Sequence, residues 1–174
     1  MSSFFYILSG IIMASHLKNL SDFSHLDIQS AANFKFAIVV SQWNSQVTGA
    51  LLEGAVDGLI KYGAAEEDIQ VIQVPGSFEL TSGADIVLRN GSLDAVICLG
   101  CVIQGETRHF DFICDAVANG ISNVAVKYNK PVIFGVLTTD NLEQALERSG
   151  GKHGNKGEEA AITAIQMAHI HKSH

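Results

Sequence analysis

Proline and cysteine are scarce in this chain of 174 residues: Pro75 and Pro131 are the only prolines, and Cys98, Cys101 and Cys114 the only cysteines. So little proline excludes a proline-rich linker. Three thiols cannot build a disulfide framework, and a low, odd count suits a reducing compartment, so a cytoplasmic location is expected. Cys98 and Cys101 have the C-x-x-C spacing but lie inside the apolar run from Val96 to Ile103. A redox pair opens a helix after a strand, so these two are expected to be packed thiols. No second pair of soft ligands accompanies them, which argues against a zinc site. Positive charge is short too: 11 Lys and Arg face 18 Asp and Glu, a formal charge of -7. That balance excludes nucleic acid as a bulk partner, although a local positive pocket can still hold a small anion.

Long apolar runs are also missing. Phe4–Met13 is apolar but falls short of the roughly 20 residues that span a bilayer as a helix. No Lys or Arg precedes it and no small-residue cleavage box follows. It reads as an extension, or as a start misplaced ahead of Met13, rather than as an export signal. No membrane partner is expected. There is no tandem repeat and no low-complexity segment. No G-x-G-x-x-G follows the first apolar run, and the glycines from Gly150 to Gly157 do not meet the G-x-x-x-x-G-K-[ST] order of a P-loop.

What is present is a globular composition, 47% apolar and 17% charged, long enough for one domain with a sizeable core. Residues 1–33 read as an N-terminal extension or tail that packs on a neighbouring subunit, and residues 34–174 as the domain. Strand and helix signals then alternate. Phe36–Ser41 is a short apolar strand, capped by Asn44 or Ser45 into a helix whose apolar stripe runs from Val47 to Ile60 and stops at Gly63. Asp68–Val74 is a second strand, followed by a helix opening at Ser77. Leu93–Leu99 is a third, followed by a helix from His109 to Tyr128. Val132–Leu137 is a fourth, with a helix over 141–149 capped by Asp140, a glycine-rich loop, and a last helix over 158–169. This order predicts an α/β three-layer sandwich: a four-stranded parallel sheet flanked by helices, flavodoxin-like.

Sites in such sheets lie beyond the C-terminal strand ends. Here those positions are Gln42-Trp43-Asn44, Pro75-Gly76-Ser77-Phe78-Glu79, Gly105-Glu106-Thr107-Arg108-His109 and Thr138-Thr139-Asp140. Trp43, the one tryptophan, can stack on a planar heterocycle or cap the core. Glu79 can accept hydrogen bonds from a polyol or simply complement a helix dipole. The turn from Gly105 opens a helix, where backbone N–H groups and the Thr107 hydroxyl can hold a phosphate. His109 sits in the first turn, where the dipole favours the neutral imidazole, a proton acceptor near neutral pH. Thr107 as a plain N-cap is the competing reading. Arg148, Lys152, His153 and Lys156 make a positive group in an acidic chain, suited to phosphate oxygens or to ordinary pairing at a helix end. Arg108 and Asp111 look like surface or subunit-contact residues. Phe134 by itself reads as core.

Together these segments resemble the 6,7-dimethyl-8-ribityllumazine synthases of riboflavin biosynthesis. The resemblance spans about Phe34 to Ala168 and rests on Trp43-Asn44, Pro75 to Glu79, Gly105 to Asp111, Phe134 to Thr139 and Arg148 to Gly157. It implies condensation of 5-amino-6-(D-ribitylamino)uracil with 3,4-dihydroxy-2-butanone 4-phosphate, releasing phosphate and water, with no metal and no cofactor. It also implies a site between subunits, with Phe134 contributed by a neighbour. Trp43 resembles the aromatic that stacks on the pyrimidine, where the family more often has Phe. Asn44 and Glu79 resemble the ribityl partners, with Ser77 and Phe78 lining the same pocket. Glu106, Thr107 and Arg148 resemble the phosphate site, His109 the proton-transfer residue, and Lys156 the loop lysine near it. Gln104 departs from the basic residue common in the family. Implied partners are the two small-molecule substrates, a homopentamer assembled into a 60-subunit shell, and riboflavin synthase. The alternatives are a non-catalytic flavin binder or a structural shell protein on the same fold. A phosphotransfer signalling domain is disfavoured, because no acidic cluster follows the first strand.

Overall fold

The computed structural model describes residues 21–23 and 26–174; the apolar run Phe4–Met13 and the alternative start at Met13 lie outside the described residues. Four parallel strands form one sheet in the order β2-β1-β3-β4: β1 Phe36–Ser41, β2 Ile69–Val74, β3 Ala95–Ile103 and β4 Val132–Thr139. Between and after them run α1 Ser45–Lys61, α2 Leu80–Asn90, α3 His109–Tyr128, α4 Leu142–Glu147 and α5 Lys156–Ser173. A small antiparallel hairpin, β5 Ser149–Gly151 with β6 Gly154–Asn155, precedes α5.

The two central strands explain the three layers. β1 is buried throughout, and β3 through most of its length, so their side chains feed two cores on opposite sheet faces. On one face Phe36, Ile38, Ile97, Leu99 and Cys101 meet Leu51, Ala55 and Leu59 of α1 and Ala161, Ala164 and Ile165 of α5. On the other, Val39, Val96 and Cys98 meet Leu80, Ala84 and Val87 of α2 and Val117 and Ile121 of α3. This is the expected flavodoxin-like sandwich. It also settles the C-x-x-C spacing. On an extended strand, positions three apart face opposite ways, so Cys98 and Cys101 sit in different cores. Burial pushes their thiols up to about 12 and about 11, so both stay protonated and unreactive at neutral pH.

Several boundaries differ from the sequence reading. β3 continues to Ile103, beyond the expected end at Leu99, because β4 pairs with it as far as Thr139. The cap of α4 is Asn141, whose side-chain oxygen accepts from the Gln144 N–H, and not Asp140. Asn44 starts α1 from the left-handed region (φ 60°) without a side-chain cap bond. Asparagine tolerates that region better than most residues. Ser77–Glu79 is a single 3-10 turn ahead of α2. The glycine-rich loop folds into the hairpin, and α5 begins two residues early, at Lys156, capped by Asn155. Gly157 is required there, since a Cβ would lie 1.9 Å from the Leu51 carbonyl oxygen.

The residues just before β1 lie against this same domain. Ala31 is fully buried, its N–H donates to the Tyr62 carbonyl at 2.8 Å, and a His169 ring nitrogen meets the Ser30 carbonyl at 2.8 Å.

Candidate active site at the sheet switch point

Strand order reverses between β1 and β3: the chain leaves β1 toward one face, through α1, and leaves β3 toward the other, through α3. The crevice this opens is where α/β sheets bind ligands. Two groups of predicted residues stand along that edge, at the ends of β1, β2 and β3, and a third gathers where α4 passes through the hairpin into α5.

The first group is tied to the end of β3. Asn44 Nδ2 donates to the Cys101 carbonyl oxygen at 3.0 Å, and Ser77 Oγ donates to the same oxygen at 3.5 Å. Ser77 approaches so closely because residue 100 is glycine; a Cβ there would lie 2.7 Å from Ser77 Oγ. Glu79 Oε2 accepts from the Gly76 N–H at 3.0 Å. The Trp43 N–H donates to the Pro75 carbonyl at 3.2 Å, and a Cβ on Gly76 would lie 2.9 Å from Trp43 Cε3. Trp43 is 67% exposed and Phe78 56% exposed. Two bare aromatic faces therefore flank a polar, hydrogen-bonded floor. The core-cap reading of Trp43 is thereby corrected: the indole lies over the loop after β2, not over the core.

The second group is the turn from β3 to α3. Glu106, Thr107 and His109 are all exposed there. Arg108 takes the N-cap position, and Thr107 Oγ1 accepts from the His109 N–H at a long 3.4 Å. Gln104 holds the turn beside β4, its N–H donating to the Thr139 carbonyl at 2.8 Å. Arg108 Nε and Asp111 Oδ2, expected as surface or subunit-contact residues, pair with each other at 3.5 Å.

The third group surrounds Glu159, which sequence reasoning passed over. Lys156 Nζ lies 3.0 Å from Glu159 Oε2, and an Arg148 terminal nitrogen lies 3.9 Å from Oε1. The i,i+3 spacing of Lys156 and Glu159 on α5 was the available signal. Arg148 follows the last turn of α4, and its carbonyl accepts from the Lys156 N–H at 2.9 Å. Its Nε is buried without a hydrogen-bond partner among the described residues. Lys152 and His153 turn away from this group to Glu147.

Phe134 is not core. It lies on the edge strand β4 and is 37% exposed. Register places it opposite Cys98, which in turn faces Val39, two strand spacings away, about 10 Å across the sheet. Within one chain it therefore does not reach Trp43.

Comparison with known proteins decides what this edge belongs to. The family model described as 6,7-dimethyl-8-ribityllumazine synthase matches residues 33–172, which include all three groups and Phe134. The chain belongs to the lumazine synthase family. It is 59% identical over 155 residues to the 6,7-dimethyl-8-ribityllumazine synthase of Cytophaga hutchinsonii, covering 89% of this chain and 97% of that one. It is 51% identical over 158 residues to the synthase of Flavobacterium johnsoniae, covering 91% and 83%, and 48% identical over 155 residues to that of Phocaeicola vulgatus, covering 89% and 92%. Its activity is the lumazine synthase reaction, a step of riboflavin biosynthesis, and oligomeric assembly comes with membership of the family.

Proposed function

We propose that the three groups divide the lumazine synthase reaction among them. Trp43 stacks on the pyrimidinedione. Asn44, Ser77 and Glu79 read its polar edge and ribityl chain, with Phe78 closing the pocket. Glu106, Thr107 and Arg148 hold the phosphate of 3,4-dihydroxy-2-butanone 4-phosphate. The observation that carries this division is the convergence of Asn44 and Ser77 on one carbonyl, that of Cys101. It leaves the outward faces of Trp43 and Phe78 free for a ring.

The pyrimidine amine adds to the butanone carbonyl, and water leaves to form an imine. A proton then departs from carbon as phosphate is expelled. His109, exposed at the start of α3, accepts that proton. Arg148 and the N-terminus of α3 stabilise the departing anion, and Lys156 adds positive charge beside them. The enol left behind takes a proton at its terminal carbon and gives up its O–H proton to become a ketone; attack of the ribitylamino nitrogen on that carbonyl and loss of water close the second ring. Much of the acceleration is the alignment of two reactants. The test follows lumazine absorbance and phosphate release together on purified protein. Equal product and phosphate above the spontaneous rate is expected; no acceleration by an intact oligomer would favour a flavin binder or a structural shell protein instead.

The working unit is a homopentamer, closed into a 60-subunit shell, in which a neighbour's Phe134 completes the pocket. Phe134 at an exposed edge supports this, as do Val126, Met167 and Ile170 around an apolar groove of about 700 Å³ between α3, β4 and α5. Light scattering separates a pentamer of roughly 90 kDa from a megadalton shell, by subunit arithmetic on 18.6 kDa. The short loop from Gly151 to Asn155 supports the shell. Residence in the cytoplasm follows from the low, odd cysteine count, and association with riboflavin synthase from the family resemblance; cell fractionation and co-purification test them.

A further inference from the structure

We infer that Ser21, on the arm ahead of the region matched by the family model, is a positioning residue for Arg148 and, through it, for the phosphate-bearing substrate. The inference rests on the assignment of Arg148 to phosphate made above.

The Ser21 hydroxyl accepts from the Asn155 N–H at 2.8 Å. Among the described residues its own hydrogen reaches the Asn155 carbonyl at 3.2 Å and Glu159 Oε1 at 3.4 Å. Asn155 is the point from which α5 is launched: its side chain accepts from the Gly157 N–H at 2.8 Å and donates to the Ala50 carbonyl at 2.9 Å, tying the helix start to α1. One hydroxyl therefore touches both the residue that sets the start of α5 and the carboxylate that faces Arg148 and Lys156.

The chemistry of that carboxylate gives Ser21 its role. Glu159 Oε2 is committed to Lys156 at 3.0 Å, while Oε1 stands 3.9 Å from the Arg148 guanidinium. A closed arginine–carboxylate pair sits near 2.7–2.9 Å and is commonly bidentate. At 3.9 Å the guanidinium is oriented but not neutralised, and Nε has no partner among the described residues. A hydroxyl beside Oε1 competes for the lone pairs that would otherwise draw Arg148 in. Without it, Glu159 closes on Arg148, and the donors that an anion needs are taken by the protein itself. Ser21 thus keeps Arg148 available while Glu159 keeps it aimed.

The chain entering β1 is held without Ser21, because Ala31 is buried and bonded to Tyr62 and Ser30 is bonded to His169. Ser21→Ala should therefore fold and assemble as the parent does. The experiment measures, on the assembled full chain, the competitive inhibition constant of inorganic phosphate, the KM for each substrate and the thermal midpoint. Four proteins are compared: parent, Ser21→Ala, Ser21→Thr and Arg148→Ala. Loss of one hydrogen bond to a charged group predicts phosphate binding and the KM of the phosphate-bearing substrate weakened ~3- to 10-fold in Ser21→Ala. The KM for the pyrimidine should be unchanged, and Ser21→Thr, which keeps the hydroxyl, should recover phosphate binding. Parent-like phosphate binding in Ser21→Ala, with binding lost in Arg148→Ala, overturns the inference and leaves the site assignment standing. A lowered thermal midpoint with both KM values rising together also overturns it, since that marks a merely structural role. Parent-like phosphate binding in Arg148→Ala overturns the phosphate assignment and the role of Ser21 with it.

Discussion

The corner around the Cys101 carbonyl and the turn from Gly105 to His109 both belong to the C-terminal end of β3, yet they are built in opposite ways. In the corner, Asn44, Ser77 and Glu79 are each tied to backbone, and Trp43 lies against Gly76. In the turn, Glu106, Thr107 and His109 are exposed and share one long bond, from the His109 N–H to Thr107 Oγ1. The difference follows the tasks. A rigid planar ring is best met by a surface ordered beforehand, which lowers the entropy cost of binding. A phosphate and a moving proton need donors and acceptors that the protein has not already satisfied internally.

The sharpest way to break this comparison is His109→Ala. Removing one proton-transfer group predicts a fall in kcat of ~10²- to 10³-fold with a residual rate, and little change in the KM for the pyrimidine. Steady-state kinetics check it; a pyrimidine KM that rises as far as kcat falls would mean the turn and the corner act as one unit. Arg148→Ala is next. Loss of charged hydrogen bonds, at about 1.5–3 kcal/mol, predicts a rise of ~10- to 100-fold in the KM of the phosphate-bearing substrate, with the pyrimidine KM held. An unchanged dependence on the phosphate substrate would remove Arg148 from its assigned role.

Gly76→Ala tests the corner itself. Its Cβ would lie 2.9 Å from Trp43 Cε3 and 3.1 Å from Glu79 Oε2, so the indole or the carboxylate must shift. A displaced stacking partner predicts pyrimidine affinity weakened roughly 3- to 10-fold. Trp43 is the sole tryptophan, so its fluorescence quenching reports the binding directly.

The smallest effect is expected outside both regions, at Asp85 on α2. Hydrogen bonds from Lys127 and Tyr128, with the charge of Arg89 nearby, hold its carboxyl down to about 2 from 3.8. A depressed folded value stabilises the protein above the unfolded value, and that contribution is lost as pH falls from about 4 toward about 2. Asp85→Asn should therefore be less stable than the parent at neutral pH, with the gap closing in acid, while kcat and both KM values stay put. Denaturant titrations across pH check the first part; a gap that persists below about pH 2 would assign the effect to packing instead.

Much of the site is legible in the order of residues along the chain. Trp43, Ser77, Glu79 and His109 stand just past strand ends, and strand ends are marked by where an apolar run gives way to polar residues. Phe134 is not legible in that way, because an aromatic inside an apolar strand looks the same whether the strand is central or at the edge. Glu159 is not legible as the hub of Arg148 and Lys156, since only its pairing with Lys156 is local. Its contact with Ser21 joins residues 138 positions apart, and no periodicity carries that.

The sequence by itself determined the alternation of strands and helices, the parallel sheet and the family, because apolar spacing and the strand-end motifs are local signals. Only the tertiary structure decided the strand order β2-β1-β3-β4, the opposite burial of Cys98 and Cys101, and the shared acceptor of Asn44 and Ser77. The physical reason is that each depends on register and distance between segments remote in the chain, and these are fixed only when both faces of the sheet are covered at once.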